Sequence, residues 1–264
     1  TMAAAFPPPH ADNSEQRSVF MDIYAYLARF HMGHFGTTQR QLAMVSAKNH
    51  THSSLNPDSQ FQTPMTVEDV LAAREIIWPL TLPMCAPVSD GAAAAVVCNA
   101  DGLARLKPQA PIRLLACVLG SGTDRKPEEF DRHLCRLAAL KAYDQAGIGP
   151  QEIDVAEVHD ATAFAEIQQT ENLGFCAIGD GGSLVESGAT SLSGSIPVNP
   201  SGGLQSKGHP IGATGLAQIH ELVLQLRGRA GKRQVKGARF AIAENGGGFH
   251  GIEEAAACIS ILAA

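Results

Sequence analysis

Phe20, Ile23, Leu27 and Phe30 recur at the spacing of one helical face, and this pattern ends near Gly33. Thr38 with Gln41 has the form of a capping box and predicts a second helix through Ala47, with Asn56-Pro57 as its break. Thr66 with Asp69 predicts a third over residues 67–77, ahead of Pro79. Short helices joined by polar loops read as a cover rather than a core. The small-residue run that starts at Pro87 turns at Asp90-Gly91 and becomes β-branched toward Cys98, which predicts a tight turn and a short buried element. Residues 112–119 read as a strand. Residues 127–147 read as a helix: Pro127 suits the first turn, Glu128 and Glu129 suit its positive end, and Phe130, Leu134, Leu137 and Ala138 form the apolar stripe.

Further on, residues 153–159 predict a strand and 161–173 a helix, while the aperiodic, glycine- and serine-rich residues 174–197 predict a surface loop. Leu216, Ile219, Val223 and Leu226 mark a helix stopped by Gly228. Strand-like runs at 238–243 and 255–262 flank Asn245 and the triple glycine Gly246-Gly247-Gly248. Strands alternating with helices predict an α/β layered fold, with helices packed against a mixed sheet. Residues 1–11, with Pro7, Pro8 and Pro9 in succession, predict an extended arm.

Composition narrows the function classes. At 264 residues, 45% hydrophobic and 17% charged, with no apolar run long enough to span a bilayer, the chain is expected to be a soluble globular protein. A net charge of −6 argues against a broad nucleic-acid surface. Arg227, Arg229, Lys232, Arg233 and Lys236 read as a solvated face beyond a helix end, or as a contact for an acidic partner. The six cysteines show no Cys-x-x-Cys spacing and no signal peptide precedes them, which points to reduced thiols in a cytoplasmic protein. No histidine pair with metal-ligand spacing lies beside acidic residues, so no metal is expected.

The densest chemical signal is the stretch from Asn199 to Gly215, in which glycines surround a single imidazole, His209, between Gly208 and Pro210. Glycine permits positive φ and close approach, and proline stiffens the following position, so one side chain is presented at a fixed place. The ring serves either local hydrogen bonding or proton transfer. Asn199-x-x-Gly202-Gly203 followed by Gly208-His209-Pro210-x-Gly212-x-Thr214-Gly215 resembles the C-terminal histidine motif of the thiolase superfamily. The chain is similar in order to the sterol-carrier-protein branch: Phe35-Gly-Thr-Thr through Asn56-Pro57, the run Ser89-Asp-Gly-Ala-Ala-Ala, Val158-His159-Asp160 and the triple glycine each carry the likeness.

The resemblance implies a thiolase-like layered α/β fold, divided into a helical loop domain with its arm (1–83), the last strand of an incomplete N-terminal half and a linker (84–110), and a complete C-terminal half (111–264). It implies that His209 deprotonates a cysteine nucleophile and helps form an oxyanion hole, that His159, oriented by Asp160, is an oxyanion residue, and that Gly246 supplies backbone to a second hole. The family's nucleophile lies upstream of this sequence, so the thiol would come from a truncated N-terminus or a separately encoded partner. Cys85 reads as packing. The family's second, acid–base cysteine is replaced at both of its positions, by Ala161 after His-Asp and by Glu244 before the triple glycine. Glu244 is then either an acid–base carboxyl with a raised pKa or a structural cap on backbone amides.

The expected activity is thiolytic cleavage or Claisen condensation of 3-ketoacyl-CoA, with a coenzyme A thioester as substrate and no covalently bound cofactor. The alternatives are a non-catalytic acyl-CoA-binding or scaffolding homologue, and a thiolase-like aldolase of CoA-ester side chains. Expected partners are a second copy, a chain supplying the N-terminal half, or an OB-fold zinc-ribbon protein.

Overall fold

Ser18 caps α1 (Val19–Phe35) by accepting the N–H of Phe20, and Gly36, with φ 82°, ends it in the left-handed conformation. The computed structural model describes residues 18–107 and 110–264, so the arm expected at residues 1–11 lies outside the described residues. α1 continues through Gly33, where the stop was expected, because an interior glycine costs a helix only about 1 kcal/mol. α2 (Gln39–Ser53) begins at the Thr38–Gln41 capping box and extends past Ala47, since Asn49, His50, His52 and Ser53 are buried. α3 (Val67–Ala72) has its Thr66–Asp69 box but is shorter than predicted. The remaining residues form β1 (Glu75–Ile77), paired with β2 (Leu80–Thr81). β-branched Ile76 and Ile77 ahead of a proline favour extended backbone there.

These helices are more than a cover. Tyr24 and Leu27 of α1 and Leu42 and Val45 of α2 share an apolar cluster with Phe164 and Ile167 of a later helix, α6 (Ala163–Asn172). The strand expected between Met84 and Leu106 is not formed. Val88, Val96 and Val97 are 88%, 85% and 80% exposed, and the region ends in α4 (Ala100–Leu106), capped by Asn99. A strand needs a neighbour for its backbone groups, and this segment has only the single bridges Cys85–Thr162 and Val88–His209.

The principal sheet has the order β3-β6-β5-β4, built from β3 (Arg113–Ser121), β4 (Val155–Glu157), β5 (Phe240–Gly247) and β6 (Ala256–Ala263). β4 and β5 are parallel and the other pairs antiparallel, giving the mixed sheet that the pattern predicted. Alternation assigns the faces. Ala156, Ile242, Ile259 and Ile261 pack toward α5 (Leu134–Ala146), and Val155, Ala241, Ala243 and Leu262 toward α8 (Thr214–Leu226). α5 starts at Leu134 rather than Pro127, because a 3-10 turn at Phe130–Arg132 and an N-cap by His133 precede it. Every residue of α6 is buried, which places its polar side chains inside the molecule. The region expected as loop contains a short helix, α7 (Gly181–Glu186). One member of the basic cluster is internal: Arg233 is buried, and its Nη2 lies 2.7 Å from Glu221 of α8. None of the described helices is long and apolar enough to cross a membrane.

Burial separates two leucines that the helical pattern treats alike. In urea denaturation of the intact protein, Leu222→Ala, at a fully buried position, is expected to cost about 2–5 kcal/mol. Leu216→Ala, at a position 44% exposed, is expected to cost about 0.5 kcal/mol. Equal losses would contradict the assigned helix orientation.

Candidate active site around His209

The glycine pair at Gly202 and Gly203, with φ 105° and 62°, opens a short π-helical turn at Gly203–Lys207. A Cβ at Gly203 would fall 2.2 Å from Asp160 Oδ2, so only glycine lets this backbone rest on the carboxyl group. Asp160 accepts the Leu204 N–H at 2.6 Å, the Gln205 side-chain amide at 2.9 Å and that of Asn49 at 3.0 Å. Burial, followed by the charge of Glu166, pushes Asp160 up to about 8. The expected pairing of Asp160 with the His159 ring is therefore replaced: the carboxyl faces the histidine loop and α2. His159 is tied instead by its backbone N–H, which donates to Glu244 Oε2 at 2.9 Å.

His209 is fixed from two sides. Its N–H donates to Ser89 Oγ at 3.1 Å, and Ser89 in turn donates to Gln60. The exposed small-residue run thus braces the loop at its start. The ring Nδ1 lies 2.8 Å from Thr214 Oγ1, and that hydroxyl donates to Pro210 O at 3.1 Å. A hydroxyl has one proton, so it accepts from Nδ1–H, and Nε2 keeps its lone pair. Burial, with Lys207 second, lowers the His209 pKa below the usual imidazole value. The rings of His159 and His209 meet edge to face, with centroids 5.2 Å apart and planes at 81°. Burial, with His209 second, pushes His159 down to about 3, so both rings are neutral near pH 7.

Both imidazoles line a cavity of about 640 Å³, a volume suited to a small-molecule substrate. Gly246, Gly247 and Gly248 form part of its wall, together with Tyr24, Cys85 and Glu254. Cys85 presents no thiolate, since burial raises its pKa to about 12. Glu244 is not in the wall. Its carboxyl is fully enclosed, bound to the His159 N–H and contacted at 3.5 Å by the Cys135 thiol. A larger, more open cavity of about 880 Å³ beside Lys207 and Arg233 has neither histidine in its wall.

Glu254 was not singled out in the sequence, because no motif contains it. Its available signal was an acidic pair, Glu253-Glu254, placed directly before an apolar strand. The ligand-type atoms of His133, Cys135 and Glu254 all lie within 4.8 Å of one another, the only such trio among the described residues. The Cys135 thiol donates to Glu254 Oε2 at 3.6 Å, while His133 Nε2 finds no hydrogen-bond partner among the described residues. His133 Nδ1 accepts the Cys135 N–H at 3.2 Å, which puts the proton of the neutral ring on Nε2, 3.6 Å from Glu254 Oε2.

Residues 125–262 match the thiolase C-terminal domain-like family. The acetyl-CoA acetyltransferase of Methanothermobacter thermautotrophicus is 45% identical over 243 residues, covering 90% of this chain and 63% of that protein. Human sterol carrier protein 2 is 41% identical over 232 residues, covering 84% of this chain and 42% of the relative. The solved Ltp2-ChsH2(DUF35) aldolase has the same fold, with a TM-score of 0.76 at 24% identity over 91% of this chain and 63% of that one. The chain therefore spans less than two thirds of the length of these relatives. With more than half its residues matched, including the histidine loop, both cavity imidazoles and the triple glycine, the chain belongs to the thiolase C-terminal domain-like family.

Proposed function

We propose that this chain supplies the acid–base and oxyanion side of a site acting on acyl-CoA thioesters, which cleaves a 3-ketoacyl-CoA with coenzyme A or forms the same carbon–carbon bond in reverse. One observation carries the reading: a histidine held as its Nδ1–H tautomer against Thr214, edge to face with a second neutral imidazole, in a cavity walled by three successive glycines. His209 Nε2 takes the proton of a thiol supplied by residues outside this sequence. Once protonated, the same nitrogen becomes a donor toward the thioester oxygen, where negative charge develops. His159 adds a second ring at that wall, and the lack of side chains at Gly246 to Gly248 allows the thioester to approach.

A second reading, carbon–carbon cleavage of a CoA ester without an acyl-enzyme, is favoured by one observation: Cys85, a cysteine of the cavity wall, holds its proton. Incubating the complete enzyme with acetoacetyl-CoA and measuring its mass separates the two. A covalent acetyl adduct supports the thiolytic reading; no adduct, together with release of an aldehyde or ketone from a 3-hydroxyacyl-CoA, supports the other.

In the complete enzyme, His209→Gln is expected to lower kcat for 3-ketoacyl-CoA cleavage by roughly 100-fold or more, with acyl-CoA binding kept. Unchanged turnover would refute the assignment. The neutral ring is the working form, and its pKa is depressed, so kcat/KM should fall on the acid side with a midpoint below the usual imidazole value of about 6.5. A midpoint above that value would show that His209 is not the titrating base.

A further inference from the structure

Two carboxyl groups lie under the cavity, and the structure treats them differently. Glu244 is closed off, with one oxygen held by the His159 N–H and the other beside the Cys135 thiol. Glu254, on the turn between β5 and β6, lines the cavity along with His159, His209 and Gly246. Its Oε1 accepts the Gln169 amide at 3.0 Å, and its Oε2 lies 3.6 Å from Cys135 Sγ. Gly246 is what admits it: a Cβ there would come 2.5 Å from Glu254 Cγ. The glycine therefore clears the path of a carboxyl side chain as well as of a substrate.

The two carboxyls share one thiol. Cys135 has a single S–H and two carboxyl oxygens at 3.5 and 3.6 Å. Burial, reinforced by both carboxylates, keeps it protonated. Neighbouring buried carboxylates cannot both be ionised cheaply, so the pair retains a proton near neutral pH. Burial, with the charge of Glu254 second, pushes Glu244 up to about 8. The other ionisable groups facing the pair are Tyr24 from α1, His133 and Cys135 at the start of α5, and Asp160 and His159. None of these is a cation near pH 7. Arg125 is bound at 2.8 Å by the neighbouring Glu253. Glu244 therefore keeps its proton near neutral pH, and of the two carboxyl residues only Glu254 lines the cavity.

We propose that Glu254 is the group that exchanges a proton with the α-carbon of the bound CoA thioester, and that Glu244, bound to the His159 N–H, positions that histidine. The assignment rests on the CoA-thioester reading above and moves the acid–base role from Glu244 to Glu254. In the condensing direction the α C–H bond breaks, its proton forms an O–H bond on Glu254, and its electron pair enters the enolate, whose charge sits on the thioester oxygen beside the imidazoles. In the cleaving direction Glu254 returns that proton to carbon. No oxidant, reductant or further reactant is required.

The test is deuterium exchange into the methyl group of acetyl-CoA in heavy water, catalysed by the complete enzyme, with acetyl-CoA affinity measured alongside. The unaltered enzyme should exchange. Glu254→Gln should exchange roughly 100-fold or more slowly with similar affinity. Glu254→Asp, which keeps a carboxyl group, should regain part of the rate and thereby separates chemistry from misfolding. Glu244→Gln should still exchange but lose the inflection near pH 8 that marks the proton loss of Glu244. Exchange by Glu254→Gln at the unaltered rate, or exchange by Glu254→Asp no faster than by Glu254→Gln, would overturn the assignment. If the unaltered enzyme neither binds nor exchanges acetyl-CoA, the CoA-thioester reading itself fails.

Discussion

The hydrogen-bond chain from His209 Nδ1 through Thr214 Oγ1 to Pro210 O sets the tautomer on which the site depends. Were the hydroxyl turned the other way, Nε2 would carry the proton and the ring would begin as a donor instead of a base. Thr214 is the first residue of α8, so the helix that packs against β4 and β5 also fixes the chemistry of the loop before it. The remaining supports converge on the same loop: Ser89 holds the His209 N–H, and Asp160 holds the turn at Gly203–Lys207.

This arrangement places an uncommon amount of polar chemistry inside the molecule. Glu166, fully buried on α6, is bound by Lys48 at 2.7 Å and by the amides of Asn49 and Asn199 at 2.8 Å. Glu157, Asp160 and Glu244 are all pushed above the ordinary carboxylate range by burial. A buried ionic network of this kind adds little net stability compared with an apolar core, but losing one partner leaves another group unsatisfied. Its effect here is positional: α2, α6 and the histidine loop are joined by hydrogen bonds that admit one register.

Much of the fold could be read in the sequence because the periodic signals were strong. α1, α2 and α8 announced themselves by apolar spacing and caps, and β5 and β6 by apolar runs around the triple glycine. What could not be read depended on neighbours. Val96 and Val97 look like a strand, but residues 84–106 find no strand partner among the described residues. α7 is too short for a period to appear. His209, His159 and Gly246 were legible through motifs. Asp160 was expected to face His159, and its actual contacts with Leu204 and Gln205 depend on how the loop folds back. Glu254 belongs to no motif, and only the close passage of β5 at Gly246 brings it to the cavity.

The central claim is that the free nitrogen of His209 meets a thioester oxygen in this cavity. A structure of the complete protein with bound acetyl-CoA tests it most directly. The account predicts the thioester oxygen about 3 Å from His209 Nε2, with the reacting carbon between the imidazoles and Glu254. Acetyl-CoA bound away from this cavity, or with its thioester turned from both rings, would contradict the account.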